Sequence, residues 1–122
     1  MAWKLDSDRP IYAQLLEQIQ MQIVSGRYPC GGKLPSVREL ASEAGVNPNT
    51  MQKALQELER QGLIQTQRTS GRFVTEDTDR ICHTRQELAR ELLAHFLHNM
   101  QQLGYEKKEI LSFFESEHKE GV

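Results

Sequence analysis

The most constraining feature of this sequence is a series of helix start and stop signals in its first half. Ser36 and Glu39 have the spacing of a capping box, in which each side chain bonds the other residue's backbone N–H at the start of a helix. Gly45 supplies a stop for that helix, and Asn47 followed by Pro48 supplies the N-cap and first residue of another. Two short helices separated by a tight, glycine-containing turn are the signature of a helix-turn-helix.

A further helix precedes this pair and a hairpin follows it. Apolar residues at three- and four-residue spacing predict a first helix from about Pro10 to Ser25. Residues 28–33 contain one proline and two glycines and are predicted as a loop. Alternating apolar residues at 63–66 and 72–74 predict two strands joined by a polar turn. A hairpin directly after the second helix of the pair is where a wing belongs, so we expect a winged helix-turn-helix.

The remainder of the chain is predicted to be helical. Residues 76–80 are polar and charged and are expected to form a linker. Thr84 and Glu87 have the spacing of a second capping box, which predicts a long helix to about Leu103. A final helix is expected from Glu106 to about His118. The predicted fold class is therefore mainly α with a small β-hairpin.

This pattern divides the chain into two functional parts. Residues 1–76 are expected to form the winged helix-turn-helix domain, and residues 77–122 a two-helix dimerisation segment. The apolar stripe of the long helix is too wide for one short partner helix, so a second chain is expected to cover it. Packing onto the chain's own winged domain stays open as the alternative. The residues predicted at the dimer interface are Leu88, Leu92, Phe96, Met100, Leu103, Ile110, Phe113 and Phe114.

The net charge alone does not indicate a nucleic-acid partner. The formal net charge is −2 and the sequence pI is about 6.1, whereas many DNA-binding domains are strongly basic. The argument for DNA must therefore rest on where the charges lie. No run approaches the roughly 18 uninterrupted apolar residues of a membrane helix, and the N-terminus lacks the apolar core of a signal peptide. We expect a cytoplasmic protein with no membrane partner.

Nothing in the sequence nominates an enzyme or a metal protein. Cys30 and Cys82 match no metal-ligand or redox spacing, and both are expected to be reduced thiols. His95 and His98 lie one helical turn apart without a third ligand at a suitable spacing. No nucleophile–base set, paired-carboxylate site or phosphate-binding glycine loop is present. We therefore expect no catalytic residues, no cofactor and no metal.

The second helix of the pair has the two faces that a recognition helix needs. If Met51, Leu55 and Leu58 point inward at 100° per residue, the amides and the lysine of this helix fall on the opposite side. Asparagine and glutamine can pair with adenine edges, and lysine can contact guanine or phosphate. A merely solvated polar face is the competing interpretation for any single residue.

Several strings in this region resemble one family. Residues 33–41 (KLPSVRELA), residues 46–58 (VNPNTMQKALQEL) and the following Gly62-Leu63-Ile64 are similar to the DNA-binding domain of the GntR family of bacterial regulators. Pro10-Ile11-Tyr12 and Gln14 resemble the start of the same domain. The short C-terminal part resembles that of the small YtrA-type subgroup, in which this segment mainly dimerises.

The resemblance implies a function and a set of contacts. It implies a repressor that binds a palindromic operator in double-stranded DNA as a homodimer, often beside transporter genes. Whether a small-molecule effector also binds stays open. The residues that the resemblance and the pattern place at DNA are Ser36, Arg38, Asn47, Asn49, Thr50, Gln52 and Lys53, with Arg68, Gly71 and Arg72 in the wing.

Two observations keep a rival interpretation open. Family wings often carry a glycine where this sequence has Thr69, and Arg72 follows close behind as a charge that can compensate. The near-neutral net charge also fits a winged helix that serves as a protein-interaction module without DNA affinity. The dependence of binding on salt separates the two functions, because phosphate contacts weaken steeply as salt rises.

Overall fold

The computed structural model describes residues 2–119. The elements in order are α1 (Ile11–Val24), α2 (Val37–Ala44), α3 (Pro48–Arg60), β1 (Ile64–Gln67), β2 (Gly71–Val74), α4 (Thr78–Gln102) and α5 (Lys107–Lys119). The fold is mostly helical with one two-stranded antiparallel hairpin, as predicted. The chain divides into two compact units after Arg85, and each is described separately below.

The start and stop signals of α2 and α3 act as the sequence predicts. The backbone N–H of Glu39 donates to Ser36 Oγ at 3.1 Å, and that of Ser36 donates to Glu39 Oε1 at 3.3 Å. Gly45 ends α2 with φ +69°, a left-handed conformation in which a Cβ is strained. The backbone N–H of Asn49 then donates to Asn47 Oδ1 at 2.8 Å and so caps α3. The helix-turn-helix is confirmed.

The core of the first unit lies where α1 and α2 pack against α3. The apolar stripes of the three helices supply most of it, and the wing closes one side through β1 and β2. Burying such side chains contributes about 1.5–3 kcal/mol each, which is why the apolar stripes fix the packing of these short helices. The fully buried side chains of this core include Leu15, Ile19, Leu40, Met51, Ala54, Leu55, Leu58 and Leu63.

The wing is tied to the loop that precedes α2. In the hairpin, Ile64 lies opposite Val74, and Gln67 lies opposite Gly71 next to the turn at residues 68–70. The loop residue Leu34 donates its N–H to Arg72 O at 2.9 Å, and Val74 donates to Gly32 O at 2.9 Å. Residues 32–34 thus run alongside β2 like a short third strand. Residues 28–33 were predicted as a loop, and no signal in the sequence indicates that part of this loop pairs with β2.

The N-terminal arm is held against α1 by two glutamines. Gln14, which is 2% exposed, accepts from the N–H of Asp6 at 2.6 Å and donates to the carbonyl oxygens of Asp6 at 2.8 Å and Arg9 at 2.9 Å. Gln18 makes the same reciprocal pair with the backbone of Lys4. Gln14 is therefore a structural residue whose buried side chain holds the backbone of the arm.

The prediction that residues 76–80 form a linker is wrong, because most of them are helical. α4 begins at Thr78, so it takes in most of residues 76–80, and Thr84 lies inside the helix instead of capping it. The reason is local, because Asp77 Oδ1 accepts from the N–H of Arg80 at 3.1 Å and starts the helix early. Ile81 packs against the core and fixes those first turns on the winged domain.

The second unit consists of the later turns of α4 together with α5. Gly104, at φ +98°, lies in the turn that joins the two helices. Phe96 and Phe114 lie with ring centroids 5.7 Å apart, and Tyr105 meets Phe113 edge-to-face at 5.2 Å. These ring pairs hold the two helices of this unit together. Within residues 2–119, no helix combines the length and apolar character that crossing a bilayer requires.

Candidate nucleic-acid interface

The two faces of α3 are segregated as predicted. Its inward side is fully buried and consists of Met51, Ala54, Leu55 and Leu58. On the other side Asn49 and Lys53 are exposed, while Thr50 and Gln52 are half-buried. Because the apolar side anchors the helix rigidly, its amides and its one ammonium project from a fixed position. The helix offers both donors and acceptors to a partner.

The starts of α2 and α3 carry the next predicted residues. Ser36 Oγ and Asn47 Oδ1 both accept backbone bonds as caps, so each side chain has a structural task. The Ser36 hydroxyl proton and the Asn47 side-chain NH₂ are donors that the caps do not use. Arg38 is exposed in the first turn of α2, beside backbone N–H groups that favour an anion. These positions suit a phosphate.

The start of α2 and the wing border one cavity of about 530 Å³. The cavity brings Ser36 and Arg38 together with Gly71 and Arg72, which the sequence predicted separately. Lys33 also borders it, although neither periodicity nor spacing had nominated that residue. The signal that could have found Lys33 is a basic residue placed just before the α2 cap.

Gly71 is required by the geometry of this cavity. Its φ of +99° lies in the left-handed region, and a Cβ built there would meet Lys33 Cε at 3.4 Å. The glycine therefore lets the wing turn and keeps the lysine stem packed beneath it. The contact of Gly71 with DNA stays a prediction.

A carboxylate links the end of α3 to both strands of the wing. Arg72 Nε donates to Glu59 Oε1 at 3.4 Å, and the Thr66 hydroxyl donates to the same oxygen. The Arg72 side chain is 18% exposed, whereas Arg68 is exposed near the wing tip. The link between Glu59 and Arg72 has no signal in the sequence, because the two residues meet only once the hairpin folds back.

The last turn of α3 contains a second ion pair. Arg60 Nε donates to Glu57 Oε1 at 2.9 Å. The hydrogen bonds and charge of Arg60 hold the pKa of the Glu57 carboxyl below its usual range. The structure thus directs the guanidinium of Arg60 toward Glu57.

The described residues offer no alternative chemistry at this surface. Among residues 2–119, no three histidine, cysteine, aspartate or glutamate side chains gather closely enough to hold a metal ion. The surface combines the polar face of α3 with a cavity that is lined by Lys33, Arg38 and Arg72 and also by Glu39. Such a surface is suited to binding a polyanion.

Comparison with known proteins agrees with this geometry. Residues 11–74 match the profile of the bacterial regulatory proteins of the gntR family. The uncharacterised regulator YhcF of Bacillus subtilis is 40% identical over 108 residues, which are 88% of this chain and 89% of YhcF. The transcriptional repressor YtrA of the same organism is 46% identical over 71 residues, covering 58% of this chain and 55% of YtrA.

Solved structures extend the likeness to the whole fold. A GntR family transcriptional regulator from Listeria monocytogenes superposes with a TM-score of 0.86 at 40% identity, covering 92% of this chain and 98% of that one. The DNA-binding domain of AraR in complex with its operator ORE1 superposes with a TM-score of 0.53 at 34% identity, covering 62% of this chain and 94% of that one. This chain belongs to the GntR family of bacterial DNA-binding transcriptional regulators, in its YtrA-like subgroup, and is not an enzyme.

Proposed function

We propose that this regulator is a cytoplasmic repressor that binds a palindromic operator as a homodimer. In this proposal α3 enters the major groove, and the cavity between α2 and the wing receives the DNA backbone. The observation that carries it is the fixed polar face of α3 beside Lys33, Arg38 and Arg72. A helix anchored on one side and polar on the other is what groove recognition requires.

The proposed contact residues form three groups, according to the part of the DNA that each would contact. Asn49, Gln52 and Lys53 project from α3 and are proposed to contact base edges. Ser36, Arg38, Asn47 and Thr50 lie at or near helix starts, where phosphate is the natural partner. In the wing, Arg68, Gly71 and Arg72 are proposed to approach the DNA backbone or a minor groove. The operator complex of the AraR DNA-binding domain and the likeness to the repressor YtrA support this assignment.

The second unit supports a dimer. Its large apolar side chains are exposed to an extent unusual for the surface of a monomer, among them Leu92 at 66%, Leu103 at 74% and Phe114 at 54%. Phe96 and Phe113 are also exposed, while Leu88 and Met100 are half-buried. Ile110 departs from the prediction, because it is only 2% exposed and so is buried within the protomer. We therefore omit Ile110 from the proposed interface.

The DNA-binding part of the proposal is tested by alanine substitution. Arg38→Ala and Lys53→Ala should each weaken binding to the operator, by about 1–3 kcal/mol where a base contact is lost. Lys107→Ala removes the same charge from α5, outside the proposed interface, and should leave affinity unchanged. A titration in which Arg38→Ala and Lys53→Ala both bind like the parent protein rejects the assignment.

The salt dependence of binding tests the rival function. A repressor should lose affinity steeply between low and physiological salt, because each neutralised phosphate releases condensed counterions. Absence of any DNA affinity at low salt would favour a winged helix that binds only proteins. The operator can be sought as an inverted repeat upstream of the coding region.

The dimer is tested by introducing charge into the apolar surface. Phe96→Asp combined with Phe113→Asp should yield monomers that bind the operator poorly, because a carboxylate cannot be buried there unpaired. Light scattering measures the mass, and circular dichroism confirms that the helices remain. A dimer that survives both substitutions would refute the proposed interface.

A further inference from the structure

The only two cysteines of the sequence meet at one cavity in the winged domain. The cavity has a volume of about 360 Å³ and lies between the end of α1, the following loop and the first turns of α4. Cys30 comes from the loop and Cys82 from α4, and Arg85 also lines the cavity. Neither the DNA interface nor the proposed dimer surface uses any of these three side chains.

The surroundings of the two sulfur atoms are chemically distinct. Cys30 Sγ lies 3.3 Å from the carbonyl oxygen of Thr75, to which its S–H donates. Cys82 Sγ lies 3.9 Å from Arg85 Nη2, whose N–H donates to the sulfur. Both cysteines are thiols, and Cys30 is exposed, so a small species can reach the cavity from solvent. Apolar side chains of Ile23, Val24 and Ile81 form much of the remaining wall.

The donor set limits the ligand that this cavity can take. Within the described part of the chain no third histidine, cysteine or carboxylate joins the two thiols. A four-coordinate zinc site therefore lacks its ligands. Soft monovalent cations such as copper(I) prefer thiolate sulfur, and two thiolates can hold such an ion in two-coordinate geometry.

Charge favours the same ligand. A monovalent cation bound by two thiolates forms a complex with a net charge of −1, and the Arg85 guanidinium beside Cys82 offsets it. A divalent cation would make the complex neutral and leave the guanidinium uncompensated.

We propose that Cys30 and Cys82 form a two-thiolate site for a soft monovalent cation, with Arg85 as its charge partner. Binding replaces two S–H protons by two sulfur–metal bonds and releases both protons to solvent. The ion would then join the loop after α1 to the start of α4 within the winged domain. This site is independent of the proposed DNA interface and dimer, so its failure leaves both proposals intact.

The test is a competition titration of the full chain with copper(I) under anaerobic conditions, against a chromophoric copper(I) chelator. We expect one ion per protomer. Cys30→Ser and Cys82→Ser should each lower the affinity by roughly 10²–10⁴-fold, because a single sulfur loses the benefit of two linked contacts. Met21→Leu removes another exposed sulfur and should bind copper(I) like the parent chain.

Two further measurements complete the test. Each serine variant should keep the circular dichroism spectrum of the parent chain, and only the parent and Met21→Leu should gain thermal stability with copper(I). Unchanged affinity in either serine variant overturns the proposal. A stoichiometry of two ions, each lost with one cysteine, also overturns it, because the thiols would then bind separately.

Discussion

Removing the charge of Glu59 tests how the wing is prepared for DNA. Arg72 donates to Glu59 Oε1 at 3.4 Å, so under the proposed DNA contact the carboxylate would compete with phosphate for this guanidinium. Glu59→Gln keeps an oxygen that can accept from both Arg72 and Thr66 and removes only the charge. The variant therefore separates the electrostatic role of Glu59 from its geometric role.

The magnitude follows from the separation and the exposure of the pair. Two unit charges at this distance interact by about 1 kcal/mol in a water-like dielectric, which suits a pair whose carboxylate is 37% exposed. Releasing Arg72 from that attraction should tighten operator binding by about fivefold. If Arg72 then neutralises one more phosphate, the slope of log affinity against log salt should steepen by about 0.9.

The assay is fluorescence anisotropy with an operator duplex over a range of salt concentrations. Glu17→Gln is the matched control, because Glu17 is also paired with an arginine, Arg9, at 2.6 Å and lies on α1. Equal tightening in both variants would mean that net charge alone is responsible. Weaker binding by Glu59→Gln would refute the reasoning and assign Glu59 a purely structural role.

Three further predictions concern the winged domain itself. Gln14→Leu should lower the free energy of unfolding by roughly 2–3 kcal/mol in chemical denaturation, because three bonds to the backbone of the arm are lost. Gly45→Ala should cost about 1–2 kcal/mol in the same assay, through its positive φ alone, since a Cβ there meets nothing within 4 Å. Because the folded-state pKa of Glu57 is lowered by Arg60, the stability from this pair is present above the carboxyl's ordinary pKa and is lost as pH falls through the folded-state pKa. Denaturation against pH should thus show a smaller loss in acid for Glu57→Gln, and an unchanged acid profile would contradict that reasoning.

Most of the fold of the first unit could be predicted from the sequence. Capping boxes, proline at a first helical position and glycine at helix ends act within a few residues, so Ser36, Gly45 and Asn47 set the local geometry themselves. Prediction from such short-range signals failed at one place. Thr84 had the right spacing to cap a helix, but Asp77 starts α4 earlier and Ile81 anchors it to the core.

The contacts that shape the candidate site depended on tertiary structure. Lys33 reaches the wing cavity because the loop before α2 pairs with β2, and Glu59 meets Arg72 because the hairpin folds back over the end of α3. Neither relation is expressed in periodicity or short-range spacing. Only the packed core brings these residues together.

The sequence by itself determined the order of the helices and the hairpin, where α2 and α3 begin, and which face of α3 is polar. Those properties follow from backbone capping and side-chain periodicity, which involve residues at most four positions apart. Only the tertiary structure decided that Ile110 is buried, that Arg72 is paired, and that Cys30 and Cys82 share a cavity. Such relations join residues distant in sequence, and it is the burial of apolar surface in the folded chain that brings them together.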